Sequence, residues 1–340
     1  MKIGIIGDVH WSKYSSILRS RGNKFSERLE NCIESINWAE SATKECDIVV
    51  YLGDFFDSPD LKSEELSALS EINWNRVDHY FLVGNHELGL NDLSFSSSHI
   101  FNLVNSHVID RVTNLYFDDE NFDIYFVPYI LNNSGDLSTY LPVGGLRIKN
   151  RIVFSHNDIA GIQMGSFISK LGFDINSIES NCDLFINGHL HNGTKITDKI
   201  YNIGNLTGQN FSEDASIYSH NIFILDTDDL YNIKKIENPY ALKFFKFDSV
   251  DKLLNFNAPL NSIITCKLYN NELQLAKDFL TNNKNIKAHR FIVIPDKTDY
   301  ATSTNSISLS INHLEKFKEF IFDKLGSSDI VSEEIEEVVR

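Results

Sequence analysis

The chain has 340 residues, 42% of them hydrophobic and 23% charged, a globular composition with room for a large core and one or two accessory units. Its formal net charge of -16 excludes long-range attraction to nucleic acid, so any polyanion binding must rest on local basic patches, metal ions or a partner. The opening apolar run is broken by Asp8, too early for a signal segment. No later stretch is long enough to span a bilayer, and Cys32, Cys46, Cys182 and Cys266 are scattered with no CxxC pair. The sequence therefore reads as cytoplasmic, with buried thiols in a reducing compartment and no membrane association.

A recurrent pattern organises the chain: a short apolar, β-prone run that ends abruptly in polar or ionisable residues. The first is KIGIIGDVH (2–10). A basic stretch follows, with Lys13, Arg19, Arg21, Lys24 and Arg28 against the single acid Glu27. By composition it is a solvated face, but its place directly after the first motif makes Arg19, Arg21 and Lys24 candidates for contacting DNA. Phe25, Leu29, Ile33 and Ile36 predict a helix over 24–44. The pattern returns as CDIVVYLGD (46–54), then a helical stretch over 63–75, then VDHYFLVGNHE (77–87), NRIVFSH (150–156) and CDLFINGHLH (182–191). Continuous apolar runs of this length suit strands buried on both faces, and their alternation with helices predicts an α/β fold of buried sheets flanked by helices. Ligands of such sheets bind beyond the carboxyl ends of the strands, where all five polar clusters fall.

Beyond 191 the motifs stop. Segments 200–207 and 220–226 predict two more strands closing the core. A strand (261–269), an amphipathic helix (271–282) and a strand (287–294) predict a small α+β unit. A polar linker precedes a helix carrying Leu314, Phe317, Ile321 and Leu325 on one face, and a second short helix follows Ser332. The expected division is 1–240, 241–296 and 297–340.

The candidate metal ligands are Asp8, His10, Asp54, Asn85, His156, His189 and His191. Carboxylate, imidazole and one amide, without thiolate, suit Mn²⁺, Fe²⁺ or Zn²⁺ better than Mg²⁺ or Ca²⁺. Seven ligands are too many for one ion that keeps a position open, and fit two ions sharing a bridging carboxylate. His86, beside Asn85, is placed to give a proton to a leaving alkoxide, or to stabilise charge on phosphorus, without binding metal. Glu87 either orients that ring or caps a helix. The aromatic residues, such as Phe55, Phe81 and Phe154, sit inside apolar runs and read as core. His79, His99, His107, His220, His289 and His313 have no motif around them and read as surface or satisfied core positions.

Asp8-Val9-His10, Gly53-Asp54, Gly84-Asn85-His86-Glu87, His156 and Gly188-His189-Leu190-His191 resemble, in order, the five motifs of calcineurin-like metallophosphoesterases. The resemblance implies that Asp8, His10 and His191 hold one metal and Asn85, His156 and His189 the other. It makes Asp54 the bridge and His86 the catalytic histidine. Gly53-Asp54-Phe55-Phe56-Asp57, lacking the Arg-Gly continuation of serine/threonine phosphatases, resembles the SbcD-like nucleases and their meiotic recombination eleven relatives. The short length and tail are closest to T-even phage recombination endonuclease subunits. That resemblance implies a two-manganese DNA exonuclease or endonuclease acting in recombination and repair, with a capping, DNA-recognition unit at 241–296. It also implies a homodimer and a C-terminal helix pair that grips the coiled-coil base of an SbcC-like ATPase. The sequence departs from the family's pattern at Glu87, where Asp is usual, and at Gly204-Asn205-Leu206, where many members have Gly-Ser-Pro. A phosphoesterase acting on small molecules or proteins is the enzymatic alternative, and a metal-bearing scaffold the non-enzymatic one.

Overall fold

The computed structural model describes residues 1–102, 105–117, 121–141, 149–164 and 167–295. The tail residues Leu314, Phe317, Ile321 and Leu325 lie outside these.

The first sheet begins with four parallel strands, β1 (Lys2–Ile6), β2 (Ile48–Tyr51), β3 (Asp78–Leu82) and β4 (Ser106–Ile109). The second takes β5 (Thr113–Leu115), β6 (Phe122–Val127) and β7 (Asn150–Ser155). A short hairpin of β8 (Gln163–Met164) and β9 (Phe167–Ile168) stands outside both. The second sheet resumes with β10 (Leu184–Asn187), β11 (Thr194–Lys195) and β12 (Ile200–Asn202). The chain then returns to the first sheet as β13 (Asn221–Asp226) and β14 (Asp229–Glu237). The final orders are β14-β13-β1-β2-β3-β4 and β11-β12-β10-β7-β6-β5, with β6, β7, β10 and β12 parallel.

Strand alternation assigns each side chain its layer. Ile3, Ile5, Val50 and Leu52 of the first sheet meet Ile124, Phe126, Phe154, Leu184 and Ile186 of the second in one buried cluster. Full burial of each such side chain is worth about 1.5–3 kcal/mol, so this inner layer is a large contributor to stability. The outward residues Ile6, Val49, Tyr51 and Phe81 pack beneath α1 (Glu27–Thr43), while Val153 and Phe185 share a third cluster with Ile178 of α3 (Ile175–Asn181). The α/β class read from the sequence is the observed one, and Phe55, Phe81 and Phe154 are core residues.

The helices differ from expectation at their ends, for local reasons. α1 starts at Glu27 because Ser26 caps it, its side chain accepting from Leu29 N at 3.3 Å. The Glu30 carboxylate meanwhile holds Lys24 N (2.7 Å) and Phe25 N (3.3 Å) in a non-helical turn. α2 (Ser63–Ala68) ends well before residue 75, with only a 3-10 turn, Leu69–Glu71, following. Its continuation is captured by α1 instead: Asn73 N donates to Asn37 Oδ1 (2.7 Å) and Asn75 N to Glu40 Oε2 (3.0 Å). The strand expected over 200–207 stops at Asn202, where Gly204, at φ +79°, turns the chain toward β1.

A C-terminal unit follows: β15 (Lys243–Phe247), α4 (Val250–Leu254), β16 (Ser262–Tyr269), α5 (Leu273–Asn282) and β17 (Ile286–Ile294). Its three strands are parallel, in the order β15-β16-β17. The predicted strand–helix–strand is β16–α5–β17; β15 and α4 were not foreseen. Ile264, Cys266 and Leu268 face a cluster with α4 and α5, while Phe244 and Ile263 on the opposite face pack against Leu18 of the core.

Candidate metal centre

The candidate ligand residues gather because their strands run in register and in the same direction. β1 delivers Asp8 and His10, β2 Asp54, β3 Asn85 and His86, β7 His156, and β10 His189 and His191. Donor atoms of Asp8, His10 and His191 lie within 4.8 Å of one another, as do those of Asp54, His156 and His189. Asn85 Oδ1 is 2.9 Å from His189 Nδ1 and 3.2 Å from His156 Nε2. Asp54 Oδ2 sits between the two groups, 3.1 Å from His156 Nε2 and 3.9 Å from His10 Nε2. His86 also comes within 4.8 Å of His10 and Asp54, from the open side: its side chain is 43% exposed, that of His10 only 2%.

These residues fit metal ions by more than proximity. Asp8 Oδ2 is buried and has no hydrogen-bond partner among the described residues. His10 Nε2 and His191 Nε2 face each other at 3.0 Å. Orphaned acceptors and opposed ring nitrogens are costly unless a cation lies among them. Without an ion, burial opposes charge on both Asp54 and His156. Their mutual attraction outweighs it, holding the Asp54 carboxyl below its usual range and raising His156 to about 9.

The backbone is shaped to admit this crowding. His10, Asp54 and His189 all have left-handed φ, at 49°, 48° and 72°, uncommon for these residue types and a store of local strain. Gly84 precedes Asn85 because a Cβ there would stand 2.2 Å from Asp54 Oδ1.

Each candidate ligand imidazole is also held from behind. The nitrogen turned away from the centre meets Asp57 Oδ1 in His10 (3.0 Å), Leu52 O in His156 (2.7 Å), Asp158 Oδ1 in His189 (3.2 Å) and Glu213 Oε1 in His191 (3.2 Å). Such outer contacts fix the tautomer and ring orientation of metal-ligating histidines. Asp57 belongs to the Gly53–Asp57 motif, but nothing in that string announces its partnership with His10. Asp158 and Glu213 have no motif around them at all.

Glu87 neither orients His86 nor caps a helix. It is fully buried and accepts from Gly84 N (2.8 Å), Phe56 N (3.0 Å) and Ser98 Oγ (2.6 Å), tying together the loops that carry Asn85 and Asp54. Burial, reinforced by the nearby Asp54 charge, pushes its pKa up to about 7. The residue beside His86 is Asp57, with its carboxylate 3.6 Å from His86 Nδ1. His220, read as surface or satisfied core, is buried against Asn205 O, with Nε2 3.8 Å from Glu213. His79 is a satisfied core residue, its ring nitrogens 2.8 Å from Val77 O and 3.0 Å from Glu40 Oε2.

The basic stretch is not one surface. Arg21 pairs with Glu64 (3.1 Å) and Lys24 with Glu71 (2.5 Å), while the Arg19 guanidinium bonds to Ser16 O (2.9 Å). Arg28 is 4% exposed, contrary to the solvated face expected. It donates to Val9 O (3.1 Å), His10 O (3.4 Å), Thr207 Oγ1 (2.8 Å) and Gly208 O (3.2 Å), pinning the strained His10 turn to the loop after β12. Arg28→Met keeps most of the stem but leaves buried carbonyls unanswered. It is expected to lower unfolding stability by about 2–3 kcal/mol in urea titration; a loss under about 0.5 kcal/mol would contradict this account.

No curated protein matches the chain. The calcineurin-like phosphoesterase family matches residues 1–207, the span that holds all seven candidate ligands and His86. With most of its length matched and this centre at the strand ends, the chain belongs to the calcineurin-like phosphoesterase family.

Proposed function

We propose that this phosphoesterase is a DNA nuclease subunit that hydrolyses phosphodiesters with two divalent ions, Mn²⁺ in preference, and works with an SbcC-like coiled-coil ATPase. The reading rests first on the paired donor groups around Asp54 with the exposed His86 at their rim. Two ions held there would supply Lewis acidity and an activated water. Asp8, His10 and His191 would hold one, Asn85, His156 and His189 the other, with Asp54 shared. The chain's own contribution to bond cleavage is then His86, steadied by Asp57 and open to the leaving oxygen, to which it donates a proton.

DNA as the substrate is supported by the C-terminal unit. Lys246, Thr265 and Arg290 are cross-strand neighbours in one row, on the face of the sheet that carries Phe244 and Ile263, with Lys267 in the next row. All three cations are exposed, and among the described residues the unit's ion pairs, Lys243–Glu237 and Lys252–Asp248, do not include them. An open basic row suits a phosphate backbone better than the paired Arg21 and Lys24 do. The ATPase partner and the homodimer rest on the family resemblance and the apolar stripe of the tail.

His86→Ala is expected to cut hydrolysis of a chromogenic phosphodiester about 10²–10⁴-fold with metal content unchanged, whereas Asp54→Ala loses both ions. An His86 variant that loses metal, or turns over normally, sinks the proton-donor role. Changing Lys246, Lys267 and Arg290 to Gln should reduce the salt dependence of DNA binding by roughly one ion for each phosphate no longer neutralised, sparing the chromogenic reaction. An unchanged salt slope returns the substrate to small phosphoesters. Deleting 306–340 should leave metal content and chromogenic turnover intact and abolish co-purification with the ATPase. Retained binding would place the docking site elsewhere, and lost metal would make the tail part of the core.

A further inference from the structure

Among the four ligand imidazoles, His191 has the most exposed side chain, at 25% against 12% for His189, 2% for His10 and 0% for His156. A partly exposed ring keeps more rotamer freedom than the buried ones. Its outer nitrogen is met by a carboxylate that is itself fully buried, Glu213. That carboxylate lies beyond residues 1–207, the span matched by the family.

Glu213 is anchored on several sides. Gln209 N donates to Oε2 at 2.8 Å and Asn210 Nδ2 to Oε1 at 3.1 Å. His220 Nδ1 donates to Asn205 O at 3.0 Å and keeps its other nitrogen 3.8 Å from Glu213 Oε2. The segment that bears it is clamped to the C-terminal unit: Ala215 N donates to Phe244 O (2.8 Å), and Leu242 N to Thr207 O (2.9 Å). A carboxylate can only accept here, so the His191 proton sits on Nδ1 and the Nε2 lone pair is turned toward His10 and Asp8.

We propose that Glu213 is a positioning residue for the metal held by Asp8, His10 and His191, and that the C-terminal unit, by clamping its segment, is part of the support of that site. The inference rests on the two-metal reading above. Removing Glu213 frees the His191 ring to rotate and exchange tautomers, while the support of His156 and His189, through Leu52 O and Asp158, is untouched.

The test is calorimetric titration of the full metal-free chain with Mn²⁺. The unaltered protein is expected to bind two ions. Glu213→Ala should weaken one of them about 10–100-fold and leave the other within about threefold. Glu213→Asp, which keeps the buried charge but draws it back by one methylene, should weaken the same ion and serves if the alanine variant does not fold. His191→Ala identifies that ion, since it must be the one it loses. Two ions bound normally by the Asp variant overturn the proposal. So does equal weakening of both ions, the mark of a general structural role. An unaltered chain that binds no Mn²⁺ would overturn the two-metal reading instead.

Discussion

Everything at this centre follows from one electrostatic constraint: electron-rich donor atoms are packed against one another where few hydrogen-bond donors reach them. Among the described residues Asp8 Oδ2 has no hydrogen-bond partner, and two imidazole nitrogens confront each other across 3.0 Å. Such an arrangement is stable only with positive charge inside it or a scaffold stiff enough to resist relaxation. The parallel strands provide the stiffness. Because β1, β2 and β3 run together, and β7 with β10, their ends cannot separate without breaking the sheets they belong to.

The same constraint explains why so much of the surrounding polar structure points inward. Arg28 directs its guanidinium to carbonyls of the His10 turn, and the Glu87 carboxylate gathers three donors from the connections that follow β2 and β3. On the second sheet, Asn157, Asn187 and Asn202 lie fully buried at the ends of adjacent strands. Their amides bond to Val127 O, Pro128 O, Gly188 O and Leu190 O, beneath the loops of His156, His189 and His191. Buried networks of this kind are favourable only when every member is satisfied, which makes them specific as well as stabilising.

What the sequence disclosed and what it hid divide along physical lines. Apolar runs ending in Asp, Asn and His are local signals, and each marks a strand and the candidate ligands at its end. The outer supports are non-local. Glu213 approaches His191 only after the chain has passed through β11 and β12, and nothing in its neighbours Ser212 and Asp214 distinguishes it from a surface acid. Arg28 looked like part of a charged surface because most of its partners are backbone carbonyls, and its closest, Thr207 Oγ1, is far along the chain, which no local side-chain pattern reveals. Edge strands were lost for a related reason: β14 alternates poorly, with Lys234, Lys235 and Glu237 along an exposed edge, and so gives no clear period. The helix expected to run to residue 75 stopped early because Asn37 and Glu40, far back in the chain, compete for its next backbone amides.

The place of β1 in its sheet has a consequence for synthesis. It leaves the ribosome before either of its neighbours, yet it lies in the interior of the sheet, between β2 and β13. Its β2 edge can be covered early. Its other edge waits for Asn221–Asp226, more than two hundred residues later. At about 5–20 residues per second that is roughly 10–45 s during which Ile3, Ile5 and Ile6 sit beside an open row of backbone groups. An unpaired apolar edge is a template for association with other chains. The nascent protein thus has a long window in which holdase chaperones, or the slow arrival of its own later strands, decide between folding and aggregation.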